Sequence, residues 1–506
     1  MGRSDGPELR GNPEDVQNDH YATLGVGPTA TQAEIKRAYR QLARQYHPDA
    51  PESPKSTSLL FRLVQEAYEV LGDVKKRALY DQERRRFQAA KVPPLALRAT
   101  PSHTRLALLD EPQAFYLLLE LFSSASDQGS RIPLNLCLVL DRSTSMQGAR
   151  LQRVKEATNY VVDYLADEDY FSLVTFSDRA EVVLPAQRGF DKAIAKSKVS
   201  MIHSSGGTEI LQGLQAGLGQ VERWQTSQTL NHVILLTDGQ TYGDEEECLA
   251  QAVEAGRRGI SISTLGIGQD WNDKLLDEIA SSSGGISAYI DSASKITSVF
   301  RERIHGLSSI FAGNLQLTLV PAQDGSIRDV FRISPYIDRF DLAHQPIDLG
   351  HIERDTPLGV LVELWVQTES IGQSHLLTAQ VKGDVVSLGL PDVQVSVDVG
   401  VEVTAEREDG LLVPPAIVSA MGKLAIFRMQ EKTLEELEEG DIERASQRLE
   451  TMATRLLNIG ETELAKAALL EAGRLVRTGH ISPEGRKKIR YGTRSLSILP
   501  KEIKRD

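Results

Sequence analysis

Polar residues fill positions 1–19, which are rich in Gly, Pro and Asp and read as a disordered lead-in. A helical period follows. In AEIKRAYRQLARQY the apolar positions Ile35, Ala38, Leu42 and Tyr46 recur on one face, leaving Lys36, Arg37, Arg40 and Arg44 for solvent. Thr31 and Glu34 have capping-box spacing at the start of this helix, and Pro48 stops it. SLLFRLVQEAYEVLG repeats the period with Leu60, Val64, Ala67 and Leu71 and ends at Gly72. The two segments predict an antiparallel helical hairpin whose connecting loop holds His47-Pro48-Asp49. Residues 87–104 read as a linker.

The period then changes. From Leu134 the apolar runs LNLCLVL, YFSLVTF, AEVVLP, HVILLTD and ISISTLGIG alternate with helical segments, which predicts a parallel, doubly wound α/β domain over 133–307. Ahead of it, RLALL and FYLLLELFSS within 105–130 read as strands. After it, NLQLTLV, VFRI, LGVLVELWVQT, HLLTAQVKG and VQVSVDVGVEV predict an all-β sandwich over 314–410. The strands in 105–130 are expected to join that sandwich, making the α/β domain an insertion, with Trp365 in the sandwich core. Helical hairpins fill 414–496, with helices over 416–439, 442–458 and 463–478 parted by Gly440-Asp441 and Gly460. This stretch resembles a single tetratricopeptide-like hairpin, too little for a repeat array. Arg486, Lys487, Lys488 and Arg490 read as a solvated helix face.

Composition narrows the function classes. At about 150 residues per domain, 506 residues give three or four domains, and 41% apolar with 25% charged residues is ordinary for globular chains. The net charge of -13 argues against nucleic acid as a partner. Locally the balance reverses: residues 20–88 hold 12 Lys and Arg against 8 Asp and Glu, leaving the rest of the chain at -17. Two cysteines, Cys137 and Cys248, cannot build a disulfide framework or a four-thiolate zinc site. No basic leader and no stretch of about 18 apolar residues occurs, so the expectation is a soluble cytoplasmic protein without a membrane partner.

The first hairpin carries a family pattern. HYATLGV, EIKRAYRQLARQYHPD and FRLVQEAYEVLGDVKKRALYD together resemble a J-domain over residues 20–86, with Ala50-Pro51 departing from the basic and Asn residues often found after the tripeptide. The resemblance implies that His47, Pro48 and Asp49, with Lys36, Arg37, Arg40 and Arg44, dock a DnaK-type Hsp70 chaperone and stimulate its ATP hydrolysis. No Gly/Phe-rich segment or CxxCxGxG zinc repeat follows, so the chain is similar to the specialised J-proteins that take targets through a fused domain.

Polar clusters in the α/β domain fall where strands end, which is where such folds bind ligands. LVLDRSTSM places Asp141, Ser143 and Ser145 after the first strand, Thr208 heads a helix in HSSGGTEI, and Asp238 follows a strand in LLTDGQ. Carboxylates and hydroxyls are oxygen donors of the kind Mg²⁺ takes, and two carboxylates can balance its charge. This set resembles the metal-ion-dependent adhesion site of the von Willebrand factor A domain. By that resemblance Ser143, Ser145 and Thr208 supply hydroxyl oxygens directly, while Asp141 and Asp238 hold the ion largely through water. A remaining position then accepts an Asp or Glu carboxylate of a partner protein, and Gly206 and Gly207 let the loop shift.

The expectation is therefore a non-enzymatic adaptor: an Hsp70 co-chaperone whose second domain binds a protein through Mg²⁺. One alternative is a metal-dependent assembly scaffold with a degenerate J-domain. Another is a Mg²⁺-dependent phosphohydrolase, since an Asp after an apolar strand also opens the haloacid-dehalogenase phosphotransferases. That family needs a second Asp two residues on, where this chain has Ser143.

Overall fold

The computed structural model describes residues 20–27, 30–45, 57–81, 94–123, 131–226, 228–241, 243–343, 345–354, 356–405 and 413–496. The lead-in over 1–19, Tyr46 and the whole His47-Pro48-Asp49 loop lie outside the described residues. The chain divides into two compact units, Met1–Val92 and Pro93–Asp506.

The first unit contains α1 (His20–Leu24), α2 (Gln32–Gln45) and α3 (Thr57–Leu71), with a further helical stretch over 74–81. Tyr21, Leu24, Ile35, Val64, Ala67 and Leu71 form its buried core. The capping box of α2 is closed: Glu34 N–H donates to Thr31 Oγ1 at 3.3 Å, and Thr31 N–H donates to Glu34 Oε2 at 2.7 Å. The Thr31 N–H, with the Thr31 hydroxyl donating to the same oxygen at 2.9 Å, holds the Glu34 carboxyl below its ordinary value. Tyr39 and Tyr68 stack between α2 and α3 with ring centroids 4.0 Å apart. With α2 thus fixed, Lys36, Arg37, Arg40 and Arg44 all stand in solvent and line one surface with Ala33 and Gln41.

The second unit opens with β1 (Leu95–Pro101), β2 (Arg105–Ala107) and β3 (Gln113–Ser123). The α/β layer follows as β4 (Leu134–Asp141), α4 (Ala149–Tyr164), β5 (Tyr170–Phe176), β6 (Ala180–Arg188), α5 (Lys192–Ser200), α6 (Ile210–Glu222), β7 (Leu230–Thr237), α7 (Glu245–Arg257), β8 (Ile260–Ile267), α8 (Asp273–Ser282), β9 (Ser287–Ile290) and α9 (Ile296–Ser308). Its sheet has the order β6-β5-β4-β7-β8-β9, so the winding reverses at β4. Alternate β4 residues feed the two faces: Leu136, Leu138 and Leu140 pack on one side, Cys137 and Val139 on the other. Both cysteines are buried free thiols, and burial pushes each up to about 12. The sheet is not wholly parallel as the sequence pattern predicts. β6 runs antiparallel to β5, because residues 177–179 are too few for the crossover that a parallel pair requires.

The chain continues through β10 (Ile310–Pro321), β11 (Gly325–Ser334), β12 (Asp338–Arg339), β13 (Ile347–Glu353), β14 (Leu358–Val366), β15 (Gly372–Val385) and β16 (Leu390–Thr404). Two five-stranded sheets result, β1-β3-β14-β11-β12 and β13-β10-β15-β16-β2, with the α/β layer inserted between β3 and β10. Strand β1 corrects the linker reading of 87–104: Leu95–Pro101 pairs with β3 from Leu95↔Ser123 to Pro101↔Leu117. As an edge strand it tolerates Pro101 and weak alternation, which is why the pattern does not mark it.

Last come α10 (Pro415–Glu438), α11 (Ile442–Asn458), α12 (Thr462–Thr478) and α13 (Pro483–Arg494). Their apolar residues share one core with Leu118, Phe331 and Leu361 of the first sheet. That sheet is therefore covered on both sides, which explains the unbroken burial of Leu117–Leu121 on β3 and Leu358–Leu364 on β14, Glu120 and Glu363 included. A buried Glu363 on β14 meets Arg428 of α10 at 2.7 Å. Trp365 is 39% exposed and faces Arg328, correcting the core reading: Leu361 and Glu363 lie under the helices, but Trp365 lies past their cover.

Helix α13 corrects the reading of the terminal basic cluster as a solvated face. Lys487 is 1% exposed and donates to the carbonyl oxygens of Gln269 and Trp271 at 2.6 and 2.7 Å. Arg486 and Arg490 each reach Asp273 at 2.8 Å, Arg490 and Arg494 reach Asp277 at 2.7 and 2.8 Å, and Tyr491 OH donates to Asp277. Burial depresses Lys487 to about 8. A sequence pattern counts these cations but cannot show that the acids of α8, more than 200 residues earlier, face them.

One buried histidine sets a pH dependence. His232 on β7 is 2% exposed, with Nε2 3.0 Å from Ser263 Oγ. Burial, then His351 once it is protonated and the positive Arg303, push it down to about 3. The unfolded chain takes this proton near pH 6.5 and the folded one near 3, so the stability is full above 6.5 and falls as pH drops through that window. At pH 4.5 the loss from this group is roughly 2 to 3 kcal/mol relative to pH 7. Urea unfolding at the two pH values should show that His232→Gln removes this share of the acid loss; an undiminished loss in the variant would contradict the assignment.

Candidate metal centre

The winding reversal at β4 sets the location, because helices that leave its two sides part there and open a crevice at the carboxyl ends of the strands. Asp141 is the last residue of β4 and is fully buried. Its Oδ1 accepts the Ser143 N–H at 2.7 Å and its Oδ2 accepts the Thr237 hydroxyl at 2.6 Å. Ser143 Oγ lies 2.9 Å from Ser145 Oγ, and Ser145 Oγ donates to Asp238 Oδ1 at 2.6 Å. The serines therefore do not cap the helix that follows: Ser143, at the head of the short 3-10 turn Thr144–Met146, makes no side-chain capping bond. They turn inward and link the two carboxylates.

Thr208 arrives from a different loop. A Cβ placed on Gly239 would fall 2.7 Å from Thr208 Oγ1, so the bare backbone beside Asp238 makes the room that this hydroxyl occupies. The first amides of α6 are satisfied across the site, Ile210 N–H by Thr241 Oγ1 at 3.4 Å and Leu211 N–H by Asp244 Oδ2 at 3.1 Å. That bonding ties Thr208 to the loop carrying Asp238. All five oxygen-bearing residues, Asp141, Ser143, Ser145, Thr208 and Asp238, thus converge from three loops.

Gly206 and Gly207 are each held by hydrogen bonds in this arrangement of the loop. Gly206 has φ +78°, and its carbonyl accepts Thr144 N–H and Thr144 Oγ1 at 3.1 and 3.0 Å. Asp178 Oδ1 accepts the Gly207 N–H at 2.7 Å. Sequence reasoning does not reach Asp178, Thr237 or Arg150, all of which brace the site. Asp178 carries a weak signal, standing just past the end of an apolar strand.

Burial pushes the Asp141 carboxyl up to about 6, opposed by the bonds from Thr237 and Ser143 and reinforced by the neighbouring Asp238 charge. A positive ion near both carboxylates would relieve that cost. The donor set fits a hard divalent cation: carboxylate and hydroxyl oxygens only, with no thiolate or imidazole among the five. No group of three or more His, Cys, Asp or Glu able to hold a metal occurs among the described residues, consistent with three of these five donors being hydroxyls.

Known proteins resemble separate stretches of the chain. The DnaJ domain family matches residues 19–81 and the von Willebrand factor type A domain family matches residues 135–302. The chain carries a DnaJ domain and a von Willebrand factor type A domain. Residues 415–498 match the Sll0103-like, C-terminal alpha-helical domain. The uncharacterized protein sll0103 of Synechocystis sp. is 28% identical over 397 residues, covering 76% of this chain and 93% of that protein. Chaperone protein DnaJ of Caldicellulosiruptor bescii is 56% identical over 66 residues, which are 13% of this chain and 17% of that chaperone. A solved von Willebrand factor type A protein from Catenulispora acidiphila shares the fold, with a TM-score of 0.63 at 20% identity over 81% of this chain and 97% of that one. The DnaJ domain is the first unit, and the von Willebrand domain is the α/β layer that bears the five-oxygen site.

Proposed function

We propose that the chain is an Hsp70 co-chaperone adaptor: its DnaJ domain stimulates ATP hydrolysis by a DnaK-type Hsp70, and its von Willebrand domain holds a protein partner through Mg²⁺. The observation that carries the second half is the convergence of Asp141, Ser143, Ser145, Thr208 and Asp238 at the winding reversal, with the serines bonded inward. When bound, the cation offers a coordination position to a carboxylate of the partner, a binding reaction in which no covalent bond breaks. The chain's own part is to hold the oxygens still. Thr237 and the Ser143 amide fix Asp141, Ser145 orients Asp238, and Asp178 with Thr144 hold the loop before Thr208.

The first half is supported by the DnaJ domain match and by the exposed cations of α2, Lys36, Arg37, Arg40 and Arg44. Neither half is an enzyme in this reading. No helix among the described residues is long and apolar enough to cross a membrane, and the proposed setting is the cytoplasm.

Affinity capture on the intact protein tests the metal half. Proteins retained in Mg²⁺ should be lost in EDTA and lost with Asp141→Ala. Equal capture by the intact protein and the variant would sink the reading.

A further inference from the structure

Asp238 has a second partner that the five-oxygen pattern does not contain. Arg150, the second residue of α4, extends Nη1 to Asp238 Oδ2 at 2.5 Å and to the Ser145 carbonyl oxygen at 3.4 Å. Gly148, with φ +87°, turns the chain immediately before α4. Gly268 supplies the berth: it follows β8 with φ +73°, and a Cβ there would lie 3.0 Å from Arg150 Nη2. The Asp238 side chain is fully buried, whereas that of Arg150 is 36% exposed. Both Asp238 oxygens are thereby committed, Oδ1 to Ser145 and Oδ2 to Arg150.

We propose that Arg150 is a tethered cation that shares Asp238 with the divalent metal and sets the affinity of the site for free metal ions. This rests on the reading that the five oxygens bind such an ion. A guanidinium is permanently charged, so it offsets one of the two carboxylate charges at any working pH. A divalent ion entering beside it meets a net charge near -1 from the pair of carboxylates and Arg150 instead of -2, and it is also repelled by the guanidinium itself. Both effects weaken binding of the ion alone. The same positive charge attracts an acidic ligand, so Arg150 shifts the preference of the site from the free ion toward the ion together with a partner's carboxylate. Arg150 is a positioning and charge-setting residue, and its side chain remains partly open to solvent beside the buried Asp238.

Titration of the full chain with Mg²⁺ alone, followed by calorimetry at fixed pH and salt, tests the proposal. Arg150→Met keeps the apolar stem and removes the charge; it should bind Mg²⁺ about tenfold or more tightly. Arg150→Lys keeps the charge and should remain within about threefold of the wild type. A merely structural role predicts the opposite sign, since loosening the site would weaken the metal. Arg150→Gln, a second neutral variant, guards against a folding failure of Arg150→Met, with circular dichroism as the check on both. Unchanged or weaker binding in the folded neutral variants overturns the proposal. Asp141→Ala separates the two levels. If it abolishes Mg²⁺ binding while the neutral Arg150 variants are no tighter, only the Arg150 role falls; if it binds as the wild type does, the metal reading falls and takes this one with it.

Discussion

His47→Gln is expected to return Hsp70 ATP hydrolysis to the rate of the chaperone alone, while leaving metal-dependent capture of the partner unchanged. The argument begins with α2. Its core side is fixed by Ile35 and by the closed capping box, so Lys36, Arg37, Arg40 and Arg44 are presented as a rigid cationic face. A surface of this kind attracts an acidic partner over about a Debye length and is screened by salt. Charge alone brings two proteins together without coupling them to a chemical step. In the proposed function that coupling belongs to His47, Pro48 and Asp49, which follow α2 in the sequence. Glutamine retains a polar side chain of similar length but not the imidazole. Single-turnover ATPase measurements should therefore separate two effects: His47→Gln fails at every salt concentration, whereas Arg37→Glu with Arg40→Glu weakens stimulation most at low ionic strength. Stimulation by His47→Gln equal to the wild type would leave the DnaJ domain without its proposed role.

Asp277→Ala is expected to release the C-terminal helix and to cost about 3 kcal/mol of stability, the scale for removing one partner from a buried charge cluster. Asp277 is 8% exposed and bears three donors, from Arg490, Arg494 and Tyr491. Burial alone would lower the Arg494 pKa, but Asp277 and Asp338 outweigh it and the net displacement is upward. Burial and the adjacent Asp277 charge likewise raise the Tyr491 hydroxyl. Without Asp277 two guanidinium groups and a phenol lose a shared acceptor at an interface that also buries Tyr491 against Trp271. Limited proteolysis should detect earlier cleavage near 479–496, and urea unfolding should show the stability loss. A variant as resistant as the wild type in both assays would mean that apolar packing alone docks α13.

Short-range signals make much of this molecule legible from its residues. The capping box of α2 and the alternation of strand and helix through the α/β layer are visible in the sequence because each depends on neighbours within a few positions, whereas the five oxygen-bearing residues, up to 97 positions apart, are legible only because each ends a strand or heads a helix in an order that resembles a known site. What escapes depends on distant partners. β1 becomes a strand because β3 offers it an edge, and Lys487 is buried because the carbonyls of Gln269 and Trp271 receive it. Trp365 is exposed because the helices over its sheet stop short of it. Arg150 is hidden for a similar reason: its partner Asp238 lies 88 residues away, and the berth at Gly268 has no sequence signature.

The central claim is that one chain brings an Hsp70 to a partner held at the metal site. With a partner identified by metal-dependent capture immobilised on beads, the most direct measurement is Hsp70 retention in ATP after the full chain is added. The account predicts retention in Mg²⁺ with the intact chain, and none with EDTA, Asp141→Ala or His47→Gln; the His47 variant should itself stay on the beads. Retention of Hsp70 that is indifferent to EDTA and to both substitutions would contradict it.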